Sequence, residues 1–476
     1  MVFNSLPFAQ FFLAVYILYL VLNHKWQNGL LLAASYVFYG FWDWRFLSLI
    51  WASTAFNYYL GLAIDASGGE KRRKALLVTA VVLNLAMLGF FKYFHFFAEN
   101  LHSIFMALGL PVNRVTLDIV LPLGISFYTF QAMSYPIDIY RRVMKPTRNI
   151  LDFGLFIAFF PQLVAGPIER AKNLLPQIAL RRTITLEKFY GGIWLIFWGL
   201  FKKIFVADNL AKITVAVFAA PANFSGGELL VATYAFACQV YADFSGYSDM
   251  ARGLARTMGF ELMVNFRAPF FASNIYDFWQ RWHISLTTWI KEYVYYPLAL
   301  ARFFGRQFKA FAVVVVTWAI MGFWHGPEWK FVLWGVYHGL VIVIYSRIRP
   351  YLNLIKPKSR ILAGSWTTLQ VLAIFHIFCV GILFFALPSA AAVLDVLRRI
   401  GAGLVTGFAA SLPITALFTF YTAFLFIIEY FQYRDNDEMA VFRWPTLARG
   451  LVYFILLYTI ILFGDFSAQR YYYFQF

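Results

Sequence analysis

Charge is scarce in this chain. Only 13% of its 476 residues are Asp, Glu, Lys or Arg, about half the share of an ordinary soluble domain. That excludes a disordered chain and an ordinary cytosolic enzyme. Cysteine is nearly missing too. Cys238 and Cys379 both lie in apolar runs, and neither belongs to a CxxC pair. A disulfide-stapled domain and a thiolate metal site are therefore excluded, and no metal is expected. The two thiols should be buried as small apolar side chains. No basic stretch and no small-residue cleavage site accompany the first apolar run, residues 8–22, so it reads as a permanent span. No phosphate-binding glycine loop, EF-hand, zinc helix or GxSxG elbow occurs. No linker or low-complexity tract divides residues 1–476, which read as a single integral-membrane domain. The lack of an internal repeat disfavours an inverted-repeat transporter.

What the chain has in quantity is apolar surface. Hydrophobic residues make up 61% and aromatics 21%, with a mean hydropathy of +0.66. They come in long blocks and not in strand-like alternation, which predicts an all-α polytopic membrane protein of roughly 11 or more spans. Some runs are irregular. Residues 117–133 are interrupted by Pro122 and Gly124, and residues 151–160 are too short to span and stop at Pro161. Residues 190–205 end on Lys202 and Lys203, which suits an interfacial end. The net charge of +17 would point to nucleic acid in a soluble protein. Here the cations gather at residues 71–74, 141–145 and 346–360, the pattern of cytoplasmic loops. The expected partner of that charge is the bilayer and not nucleic acid.

Residues 243–309 break the apolar pattern with dense polar, aromatic and charged residues. At membrane depth such a stretch must sit inside protein or line a cavity. It opens with DFSGYSDMAR at 243–252, where Asp243 and Asp249 fit either ion coupling or internal salt bridging, for instance with Arg252 or Arg256. Seven histidines occur. His24, His95 and His102 lie near loop ends and suit snorkelling at the interface. His376 lies mid-span and reads as a satisfied core residue.

His283 and His325 differ. His283 sits in DFWQRWH at 277–283, and His325 in MGFWHGP at 321–327, where a span breaks at Gly326 and Pro327. The break frees backbone groups that only a cavity or a buried polar site can satisfy. A neutral imidazole there suits proton abstraction from a hydroxyl. His338 lies on an aromatic helix and reads mainly as packing. Trp279, Trp282 and Trp324 fit tunnel lining or packing equally.

In these stretches the chain resembles the membrane-bound O-acyltransferases, in the bacterial branch of the alginate O-acetyltransferase membrane subunit. The matching segments are LPLGISFYTFQ at 121–131, SYPIDIYR at 134–141, FPQLVAGPI at 160–168, DFSGYSD at 243–249, NFRAPF at 265–270, FWQRWHISL at 278–286, GFWHG at 322–326 and YFQF at 473–476. The likeness is densest over 121–340. It implies a helical bundle with short or re-entrant helices around a central tunnel. It also implies His325 as the essential residue and His283 as its partner. Arg281, together with His283, would position the donor or stabilise the oxyanion. The implied donor is a cytoplasmic acyl thioester such as acetyl-coenzyme A, with no bound cofactor. The implied acceptor is an exported polysaccharide, reached through an SGNH-type partner, at the bacterial inner membrane. A covalent acyl-histidine stays open, and a secondary transporter or flippase is the alternative.

Overall fold

The computed structural model describes residues 1–110, 112–301, 306–403 and 408–467. The YFQF motif at 473–476 and residues 302–305 of the polar stretch lie outside them. All regular structure among the described residues is helical. Among the described residues, seven helical stretches are long and apolar enough to cross a membrane, including His24–Ala66, Glu70–Ala107, Leu186–Ala219 and Arg360–Ala386. Leu6–Val21 and Ala310–His325 are shorter apolar helices. The chain forms two compact units, Met1–Ile196 with Met250–Met263, and Phe197–Asp249 with Val264–Phe476.

In the first unit, helices start where side chains replace missing backbone acceptors. Ser5 caps Leu6–Val21, Asn23 caps His24–Asp43 and Asn149 caps Ile150–Ala158. The apolar run 117–133 is not one span: helix Ile125–Tyr140 starts only after Gly124. Gly124 has φ +73°, and a Cβ there would stand 2.7 Å from the Leu163 carbonyl oxygen. Only glycine tolerates both demands. The short run expected near 151–160 is the helix Ile150–Ala158, buried from Phe153 onward. Between Leu47–Ala66 and Glu70–Leu88, the amides of Asn57 and Asn84 bond reciprocally at 3.3 and 2.9 Å. Such a pair satisfies polar groups that hydrocarbon would leave unpaired.

The second unit is built on two features. The first is a hairpin of Arg306–His325 against Trp329–Leu354. Gly335 and Gly339, spaced GxxxG, face the partner helix. A Cβ at Gly335 would collide with the Trp318 carbonyl oxygen, and one at Gly339 would stand 3.0 Å from Val315 Cα. Small residues are what let two helix backbones approach this closely.

The second feature corrects the sequence reading. Lys202 and Lys203 are buried, 3% and 1% exposed, on a wide π-type turn, Phe201–Ala207. Lys203 Nζ lies 2.7 Å from Asp243 and 2.8 Å from Asp208. Lys202 Nζ lies 3.0 Å from Asp249 and 3.4 Å from Glu429. The internal salt bridging expected of Asp243 and Asp249 is present, with these lysines, while Arg256 pairs with Glu261. A lone buried ammonium would be too costly, so each lysine sits among carboxylates. Cys238 and Cys379 are free and buried as expected. His376 is satisfied, through Tyr234 Oη at 2.7 Å and the Leu372 carbonyl at 2.7 Å. It lies on the outer surface and not in the core. An imidazole facing lipid must find its partners within the protein.

Candidate active site

The break expected after Trp324 is real. Helix Arg306–His325 ends on His325, and the next helix begins at Trp329. A Cβ on Gly326 would collide with the Phe331 ring, so the reversal requires glycine there. It leaves His325 8% exposed, edge-on to Trp334 at 5.0 Å and to Phe385 at 5.3 Å between ring centroids. Trp324 lies 5.1 Å away.

His283 arrives from another direction. It joins the short helices Ile275–Arg281 and Ile284–Ile290, and its backbone is left-handed at φ +44°, ψ +51°. Few residues other than glycine hold that conformation without support. The side chain is 3% exposed. Phe244 meets its ring edge-on at 4.7 Å, and Phe266 lies nearly parallel at 6.3 Å. The His283 and His325 rings are 6.4 Å apart, 42 residues of sequence brought together. Burial, and secondarily the neighbouring His325, pushes the His283 pKa well below its ordinary value. Its ring is neutral at pH 7.

The remaining predicted residues divide. Trp324 lies 6.0 Å from His283 and so touches both imidazoles. Trp282 is packed, stacked on Phe278 at 5.8 Å and tilted against Phe378 at 4.6 Å. Trp279 packs on Trp318 at 4.4 Å and on His338 at 4.9 Å. Arg281 is engaged elsewhere. Its Nε lies 2.7 Å from Asp277, its Nη1 donates to the Arg267 carbonyl at 3.2 Å, and its guanidinium covers Tyr433 at 4.9 Å. His338 is fully buried among Trp279, Trp318 and Trp334. Neither of its nitrogens has a hydrogen-bond partner among the described residues. Gly381 lies against its Nε2, where any Cβ would collide.

Sequence reasoning missed the aromatic walls of the site. Phe385 comes from helix Arg360–Ala386 and Phe244 from Gly226–Thr257, and nothing local marks either as close to a histidine. A cavity of about 420 Å³, which neither histidine lines, opens between the hairpin and residues 287–295. Thr287, Met321, Trp318 and Ile290 form its walls, with Lys291 and Arg347 also lining it. Thr287 and Met321 each lie four residues from a histidine, one helical turn from His283 and His325.

Comparison with known proteins agrees with this architecture. Residues 38–387 match the family model described as MBOAT, membrane-bound O-acyltransferase family. The chain is 42% identical to a probable alginate O-acetylase of Azotobacter vinelandii over 351 residues, 73% of this chain and 69% of that protein. It is 33% identical to a peptidoglycan O-acetyltransferase of Helicobacter pylori, covering 72% and 70%. It is 30% identical to a teichoic acid D-alanyltransferase of Bacillus subtilis, covering 56% and 68%. These relatives are named for different polymers, and what their names share is acyl transfer. The chain belongs to the membrane-bound O-acyltransferase family and is a multi-pass membrane acyltransferase.

Proposed function

We propose that this protein transfers an acetyl group from a cytoplasmic thioester, acetyl-coenzyme A or another acyl carrier, toward hydroxyls of an exported polysaccharide or cell-wall glycan. It does so at the inner membrane, through an SGNH-type partner outside it. An alcohol at pH 7 is too weak a nucleophile unless its proton leaves as it attacks. His325 is the general base. It takes the hydroxyl proton while oxygen attacks the thioester carbonyl, the C–O bond forms, the C–S bond breaks, and the proton passes to the departing thiolate. His283, held neutral by burial, positions the donor or meets the oxyanion. Arg281, committed to Asp277 and Tyr433, has no part in this reading. Trp324 closes the site on the side of both rings.

One observation carries the proposal: two buried imidazoles, distant in sequence, come within 6.4 Å of each other between ring centroids where a helix ends. The relatives named for alginate and peptidoglycan O-acetylation support the acetyl group and the glycan acceptor. The cavity lined by Thr287 and Met321, each four residues from one of the histidines, also has Lys291 and Arg347 in its walls, which supports a phosphate-bearing donor. The test uses purified protein and labelled acetyl-coenzyme A, following thioester hydrolysis and transfer. Removing general-base help costs about 10²–10⁴-fold, so His325→Ala should lose transfer while remaining folded. Near wild-type transfer by that variant rejects the assignment.

A further inference from the structure

The NFRAPF motif at 265–270 has no role in the chemistry above, yet its first residue holds the strained histidine. We propose that Asn265 is the positioning residue for His283, and this inference rests on the reading of His283 as part of the reaction site. The segment from Asn265 runs alongside the link between the two short helices. The Ile284 N–H donates to the Asn265 carbonyl at 2.9 Å, and the Arg267 N–H donates to the Arg281 carbonyl at 3.0 Å. The Asn265 side chain completes the clamp. Its Oδ1 accepts from the Ser285 hydroxyl at 2.9 Å and from the Ser285 N–H at 3.3 Å. Its Nδ2 donates to Ser248 Oγ at 3.1 Å. Asn265, Ser248 and Ser285 are at most 1% exposed, so these bonds face no competition from solvent.

The bonds fall on the residues just after His283, where they fix its ψ. From below, Thr287 Oγ1 donates to the His283 carbonyl at 3.1 Å and to the Trp282 carbonyl at 3.2 Å. A non-glycine residue at φ +44° relaxes toward negative φ unless its surroundings prevent it. Relaxation would swing the Cα–Cβ bond and carry the imidazole away from Phe244 and His325. The link to Ser248 also ties the clamp to helix Gly226–Thr257, the helix that supplies Phe244. Ring wall and strained backbone thus share one anchor.

The experiment compares four purified full-length variants in steady-state transfer from labelled acetyl-coenzyme A, with elution profile and thermal melting as checks of folding. Asn265→Ala should lower kcat roughly tenfold to a hundredfold, the scale of a reacting group displaced by about an ångström. KM for the donor should stay within about twofold, because the clamp does not touch the donor. Asn265→Asp should recover most of the rate. Its carboxylate still accepts from Ser285, and the Ser248 hydroxyl donates to the other oxygen. Ser285→Ala, which removes one bond and leaves the backbone, should lose roughly threefold to tenfold in kcat alone. It carries the test should Asn265→Ala not fold. With His283→Ala inactive, unchanged kcat in Asn265→Ala or Ser285→Ala overturns the inference, as does an Asn265→Asp variant no better than Asn265→Ala. Near wild-type transfer by His283→Ala overturns the reading beneath it.

Discussion

Lys203→Met removes the cation shared by Asp208 and Asp243 and keeps the length of an apolar side chain. In the native protein all three side chains are at most 4% exposed and the two contacts are 2.7 and 2.8 Å. Breaking a buried pair from one side costs about 3–5 kcal/mol, because the partner charge stays behind without its counter-ion. Here two carboxylates lose the same cation, so the upper part of that range applies. For a chain of this size that lowers the melting temperature by about 4–5 °C. Asp243 directly precedes Phe244 on its helix, so loosening this contact also frees the wall of His283. We expect Lys203→Met in detergent to melt about 4–5 °C below wild type by tryptophan fluorescence, and to lose acyl transfer more than its melting curve alone accounts for at assay temperature. Adding Asp208→Asn and Asp243→Asn should restore most of the melting temperature, since neutral amides need no cation. A single variant melting within about 1 °C of wild type would refute the argument, because it would mean that the buried carboxylates do not depend on Lys203.

Two further outcomes follow from packing and from pH. Gly335→Ala should cost about 1–3 kcal/mol by overpacking, since its Cβ would meet a backbone carbonyl that cannot rotate away. Gly364→Ala, with nothing within 4 Å of the added atom, should be neutral or slightly stabilising, and equal melting of the two variants would sink the close-packing account. Glu169 is buried, and its carboxyl is pushed from 4.5 up to about 7 by burial, against the opposing pull of the Met263 N–H and Arg170. Between pH 4.5 and about 7 the folded protein therefore holds a proton that the unfolded chain has lost, and its contribution to stability falls as pH rises through that window. Glu169→Gln should melt with less loss over the same range, and melting curves that shift in parallel with pH for both proteins would contradict this.

The site was partly legible in the sequence. The helix break at His325 was written locally, in Gly326 and Pro327, because backbone geometry is a short-range property. The buried thiols were legible for the same reason, as residues within apolar runs. Lys202 and Lys203 were misread as an interfacial end, since a lysine at the edge of an apolar run looks the same whether it meets water or a carboxylate. Only the approach of Asp208, Asp243, Asp249 and Glu429 distinguishes the two. His376 shows the converse, a polar residue in mid-span that is satisfied at the exposed surface by Tyr234 and the Leu372 carbonyl.

Composition and run length alone determined that this chain is a helical membrane protein, because hydrocarbon admits few other ways to satisfy a backbone. The order of its motifs pointed to the family. The sequence could not determine that His283 lies 6.4 Å from His325, that its backbone is left-handed, or that Asn265 holds it so. Those facts depend on which helices pack together. Packing is decided by the summed fit of many distant side chains, and no local stretch encodes it.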